Sequence, residues 1–138
     1  MRPSKAYLID PYKKRVSTIV IKSYDDIYKR IGDTYCLGPI FDSGDTLFID
    51  DAGLLKDNQA FFCIHGDHRP LAGYGVILGT DEEGESCDVK LSYEIVVNIT
   101  YFPLKDAVEK FLRESDYLTP KVRNLSNEEF EQYLRGEL

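Results

Sequence analysis

The sequence predicts a single α+β domain, an antiparallel or mixed sheet of about five or six strands packed by two or three helices. Three observations predict it. Short β-branched and aromatic runs, separated by Asp, Gly, Pro and Asn, fill residues 5–78. Capped segments with helical periodicity stand at residues 23–31, 103–113 and from Ser126 onward. With 138 residues, 43% hydrophobic and 12% aromatic, the chain can bury a core without disulfides or metal.

Residues 5–9 and 15–22 read as a β-hairpin around Asp10, Pro11, Tyr12, Lys13 and Lys14, where proline fixes φ and aspartate starts the turn. Residues 23–31 form a helix. Ser23 is its N-cap, Asp26 stands at the third position like the acid of a capping box, and Gly32 is the stop. Tyr24, Ile27, Tyr28 and Ile31 share one face, and Asp25–Lys29 and Asp26–Arg30 are i,i+4 pairs elsewhere on it.

Residues 34–41 and 46–49 are strands joined by Asp42, Ser43, Gly44 and Asp45, a composition suited to a tight turn. The second of these ends on Asp50 and Asp51, an Asx-type turn, followed by Gly53 where the backbone needs a positive φ. Residues 60–65 are a further apolar strand. Residues 71–78 continue the sheet, with Gly73, Gly75 and Gly79 marking a bulge or the close approach of another backbone or a ligand. Residues 81–85 are an exposed turn.

Residues 89–102 carry two patterns. Val89, Leu91, Tyr93, Ile95, Val97, Ile99 and Tyr101 alternate as in a strand, which the β-branched content favours. Leu91, Ile95, Ile99 and Phe102 also fit a helical face capped by Ser92 and ended by Pro103. Leu104, Ala107, Val108, Phe111 and Leu112 then line a helix with Pro103 at its first turn. Ser126 to Glu129 is a capping box opening a last short helix with Phe130, Tyr133 and Leu134 on one face. The expected layout is a core over residues 5–113, with helices 23–31 and 103–113 on one side of the sheet. Residues 114–138 are a C-terminal helical extension.

Composition narrows the function. A net charge of −7 and a pI near 4.8 disfavour direct binding to nucleic acid or anionic membrane. Cys36, Cys63 and Cys87 cannot all pair within one chain, and reduced thiols explain them best. The N-terminus lacks the apolar stretch of a signal peptide, and no run approaches the roughly 18 apolar residues of a membrane span. The expected location is cytoplasmic. Oligomeric state is not defined at this level.

Leu8-Ile9-Asp10 opening a strand, a short helix, and then the stretch from Phe48 through Asp50, Asp51 and Gly53 to Leu55 resemble a family of small uncharacterised proteins of phages and other mobile elements. Its members carry a V-D-E-x-G-L type motif followed by a glycine-rich apolar strand, to which residues 73–81 are similar. Ile49 and Asp51 replace the commonest residues of the motif. The match covers residues 6–102 and leaves out the two C-terminal helices. It implies a helix after the acidic turn, favouring the helical reading of residues 92–100, and implies no activity for any residue.

Cys63, His65 and His68 are the one cluster of metal-capable residues, since alternation puts Cys63 and His65 on one side and a turn can return His68. The spacing matches no zinc motif, and a strand end with a buried thiol and two exposed histidines is the preferred reading. Asp42, Asp45, Asp50 and Asp51 can gather at one end of a hairpin, but turn formation accounts for all four. There is no G-x-S-x-G elbow, and the glycines at 73, 75 and 79 do not match the dinucleotide fingerprint. No catalytic residue and no cofactor is implied. Ten tyrosines in an acidic chain point to binding rather than catalysis. The leading expectation is a non-enzymatic accessory protein with a protein partner. The alternative is a small-molecule or nucleotide binder using the strand 73–79, with Gly73, Tyr74, Gly75, Asp50 and Asp51 as its ligand residues.

Overall fold

The computed structural model describes residues 1–32, 35–50, 59–67, 69–115 and 126–134. Asp51, Gly53 and His68 lie outside the described residues. The first hairpin is β1 (Ser4–Asp10) and β2 (Arg15–Ile21), antiparallel from Ser4 opposite Ile21 to Asp10 opposite Arg15. Its turn is set by Asp10, whose carboxylate accepts the N–H groups of Tyr12 at 3.0 Å and Lys13 at 3.1 Å. In α1 (Tyr24–Ile31) the Ser23 hydroxyl accepts from the Asp26 N–H, and the Asp26 carboxylate accepts from the Lys22 N–H at 2.7 Å. Asp26 therefore serves the cap. Ile27 and Ile31 are buried, while Tyr24 and Tyr28 remain 45% and 40% exposed.

The remaining elements are β3 (Cys36–Ile40), β4 (Asp45–Ile49), β5 (Phe61–Ile64), β6 (Leu71–Ala72), β7 (Gly75–Thr80), β8 (Ser86–Cys87), α2 (Tyr93–Ile99), β9 (Thr100–Tyr101), α3 (Lys105–Ser115) and α4 (Asn127–Leu134). One antiparallel sheet has six strands in the order β2-β1-β7-β4-β3, with β8 also paired to β7. A second, three-stranded sheet has the order β6-β5-β9. The chain is a single α+β domain, as its sequence predicts. Among the described residues no helix is long and apolar enough to cross a membrane.

Side-chain alternation sorts the core into three interfaces. On one face of the large sheet Ala6, Phe48, Val76 and Leu78 meet Ile27 and Ile31 of α1. On its other face Tyr7, Ile9, Leu47 and Ile77 meet Phe62, Ile64 and Leu71 of the small sheet, with Val96 of α2. The far side of the small sheet, Phe61, Cys63 and Ala72, packs against Val108 and Phe111 of α3 and Phe130 and Leu134 of α4. The helices α1 and α3 thus cover opposite outer faces of two stacked sheets instead of one side of a single sheet. The described C-terminal helix belongs to the core: Ser126 and Glu129 close both bonds of the capping box, and Phe130 and Leu134 are buried.

Two segments depart from the sequence reading. Residues 71–78 are not one strand, because Gly73, at φ 85°, breaks the chain between β6 and β7 and sends the two to different sheets. The strand pattern of residues 89–102 gives way to the helix α2. The Ser92 hydroxyl accepts the Ile95 N–H, and Val96 is fully buried while Ile95 and Val97 stay 46% and 43% exposed. Alternation would have turned Ile95 and Val97 to one face of a sheet, and no sheet face receives them. Only Thr100 and Tyr101 extend, pairing with Ile64 and Cys63.

Asp45 ties these parts together. It is fully buried, and its carboxylate accepts the N–H groups of Lys90 and Leu91 and the hydroxyl of Ser43, each at 2.8 Å. The same segment is held to β1 by Lys5, whose N–H donates to the Asp88 carboxylate and whose carbonyl accepts the Val89 N–H. The crossing is tight at Gly79, where a Cβ would lie 2.1 Å from the Asp88 carbonyl oxygen.

Two substitutions follow from this geometry, both read by urea unfolding. Asp45→Ala removes the buried acceptor of two part-buried N–H groups and is expected to cost about 2 kcal/mol. Gly79→Ala forces the 88–89 backbone away from β7 and is expected to cost about 2–3 kcal/mol. A loss below about 1 kcal/mol for either would contradict the corresponding contact.

Candidate functional site

The strands β1 and β4 end where β7 begins, with Gly75 opposite both Ile9 and Ile49. Asp10, Tyr74 and Asp50 consequently emerge together at one end of the large sheet. Gly73 lies beside them, since a Cβ there would sit 4.0 Å from the Asp50 Cβ. The Tyr74 ring leans on Tyr12 with centroids 5.1 Å apart. Burial pushes the Tyr74 phenol above the usual tyrosine value, and Asp10 and Tyr12 push it further the same way. Of the residues expected to bind a ligand, Gly73, Tyr74, Gly75 and Asp50 are therefore neighbours, and Asp51 lies outside the described residues.

At two of the glycines the protein itself fills the side-chain space. The space a Gly75 side chain would fill is taken by the Phe62 ring, 2.7 Å from an added Cβ, and that of Gly79 by the Asp88 backbone. Close approach is the right reading of this strand, and what approaches is the protein itself. Asp10 and Tyr12, which sequence reasoning used only as turn residues, complete the cluster.

The cysteine–histidine pair lies elsewhere. Alternation carries Cys63 and His65 to the face turned toward α4. The Cys63 thiol is fully buried, and burial pushes its pKa up to about 12, against the lowering effect of a hydrogen bond with Tyr101. Asp67 and Glu131 push in the same direction as burial. A thiol is the weak form both as a nucleophile and as a metal ligand. His65 Nδ1 is 2.5 Å from Glu131 Oε1. Asp67 is held in a two-pronged pair with Arg69, at 2.9 and 2.8 Å. Among the described residues no three His, Cys, Asp or Glu side chains are placed to hold a metal ion. His68 lies outside them.

Among the described hairpin carboxylates, Asp45 and Asp50 do not gather, and Asp51 lies outside the described residues. Asp45 begins β4 and Asp50 follows its end, so about 16 Å of extended chain separates them.

A different surface stands out at the sheet edge. Among the described residues β3 pairs only with β4, and its register shifts between Leu37 and Ile40. Leu37 opposes Phe48 and Ile40 opposes Thr46, which places both on the face that carries α1. They are 60% and 69% exposed. Beside them Tyr28 meets Tyr35 edge-on at 4.4 Å, and Tyr35 meets Phe48 at 5.5 Å. Burial raises the Tyr35 phenol, and Tyr28 and Tyr24 add to that. Residues 35–41 contain no charged side chain in a chain that is 30% charged. That uncharged run was the visible signal of this surface in the sequence.

No family model, no curated protein and no solved structure matches the chain.

The thiols offer a direct check. In the folded protein Cys36 and Cys87, both partly exposed, are expected to react with a disulfide reagent at pH 8, and Cys63 only on unfolding. Because the folded state holds the Cys63 proton more tightly than the unfolded chain, its contribution to stability is complete below pH 9 and is lost as pH rises toward about 12. Cys63→Ala removes this part of the alkaline loss. Rapid labelling of Cys63 in the native protein would show that the β5–α4 interface is open.

Proposed function

We propose that this chain is a non-enzymatic accessory protein that binds a protein partner through the β3 edge and the tyrosines of α1. One observation carries the reading. An uncharged edge strand leaves Leu37 and Ile40 more than half exposed, next to Tyr24 and Tyr28, on the side of the sheet that α1 only partly covers. Contiguous exposed apolar area of this kind marks interaction surfaces, and tyrosine contributes large contact area at low entropy cost. Edge strands that must stay unpaired usually carry charges. The opposite edge, β2, begins with Arg15 and is followed by Lys22, whereas β3 has no charge. The reduced thiols support a cytoplasmic location. The resemblance to a mobile-element family supports a host-encoded or element-encoded partner.

The test compares the wild-type chain with Leu37→Asp, Ile40→Asp in affinity capture from host lysate. Both side chains are exposed, so the double variant is expected to unfold within about 1 kcal/mol of wild type. It should lose a protein that the wild type retains in stoichiometric amount. Equal recovery of the same proteins by both forms, or no stoichiometric protein with the wild type, would overturn the reading.

A further inference from the structure

A cleft of about 280 Å³ opens between the β1–β2 turn and the start of α3, away from the β3 edge. Tyr12 and Lys14 line one wall, Leu104 and Lys105 the other, and Gln59 and Phe61 the remainder. We propose that this cleft binds a small phosphate monoester of an aromatic group. The inference is independent of the protein-binding reading.

Charge argues for the phosphate. The chain has a net charge of −7, yet Lys13, Lys14 and Arg15 follow one another in this turn, and Lys105 faces it across the cleft. Among the described residues neither Lys14 nor Lys105 is within ion-pair range of a carboxylate. The nearest buried acid of the turn, Asp10, already accepts the Tyr12 and Lys13 N–H groups. Two ammonium groups from opposing walls match a phosphate monoester, which carries about −1.5 to −2 at neutral pH. A single carboxylate would leave one of them uncompensated.

The other walls argue for the aromatic part. Tyr12 is 50% exposed at the cleft and is backed by Tyr74, which fixes its ring from behind. Leu104 is 51% exposed opposite. The volume falls just below the roughly 300–1,000 Å³ found for ligand pockets, which suits one ring with its phosphate better than a dinucleotide.

Lys14 is also the one described residue other than glycine with a positive φ, 54°. Glycine would adopt that conformation without strain. This provides a substitution in which folding and binding move in opposite directions.

The probe is phenyl phosphate, titrated into the full chain with backbone amide resonances as the readout, and with inorganic phosphate and phenol as comparisons. The expected result is saturable shifts at Tyr12, Lys14, Ala60, Leu104 and Lys105, with both comparison compounds at least about tenfold weaker. Lys14→Gly should raise the melting temperature and weaken phenyl phosphate about tenfold, and Lys105→Ala should weaken it similarly with the melting temperature unchanged. Binding of inorganic phosphate as tight as phenyl phosphate would overturn the proposal. So would shifts centred elsewhere, unaltered affinity in Lys14→Gly, or no saturable shift.

Discussion

The Asp45 carboxylate sits at the start of β4, shielded from solvent, and accepts hydrogen bonds from Ser43, Lys90 and Leu91. Bonds of this charge-assisted kind are about twice as strong as those between neutral groups. They fix where the chain crosses from β8 to α2. With residues 90 and 91 held, Ser92 caps α2 and Val96 drops into the space between the sheets. The Tyr7 hydroxyl donates to the Leu91 carbonyl, and the Tyr93 hydroxyl donates to the Val16 carbonyl. Asp45 thus indexes β4 to the start of α2, and Tyr7 and Tyr93 index the first hairpin to the same segment, from which the helix against the small sheet begins.

Much of this order was legible in the sequence, because local rules and burial agree in the hairpins, α1 and α4. Asp10, Ser23, Gly32 and Ser126 each do what their residue type does at a turn or cap. The segment 89–102 resisted reading because its β-branched residues alternate while the cap of α2 and that helix's one buried side chain, Val96, obey the helix. Local composition and tertiary placement disagree there, and the placement is set by Asp45, 45 residues away. The division of residues 71–78 between two sheets was equally hidden. Gly73 reads as a bulge in a strand, and nothing local says that β6 and β7 find different partners.

The candidate sites were legible in part for a similar reason. The neighbourhood of Gly73, Tyr74, Gly75 and Asp50 emerges because β4 ends where β7 begins, which the hydrophobic pattern anticipates. What occupies the glycine positions depends on Phe62 and Asp88, which belong to other elements. Exposure of Leu37 and Ile40 was signalled only by the missing charge in residues 35–41. Apolar residues in a strand normally mean burial, and the sheet order shows that β3 has no neighbour beyond it among the described residues. Lys14 and Lys105, 91 positions apart, face one cleft only after the two sheets have stacked.

The position of β7 between β1 and β4 also imposes an order of assembly. The β1–β2 and β3–β4 hairpins close over short loops and can form early, but neither touches the other across the sheet. They become one surface only when β7 inserts between them with long-range pairs such as Tyr7 with Ile77. During synthesis the chain emerges from its N-terminus, so both hairpins wait with open flanks until residue 80 is free. Loop closure of that length is the slow event in such topologies, and open strand edges are sticky while it is pending. The topology makes β7 the strand that joins two separately closed hairpins into one sheet.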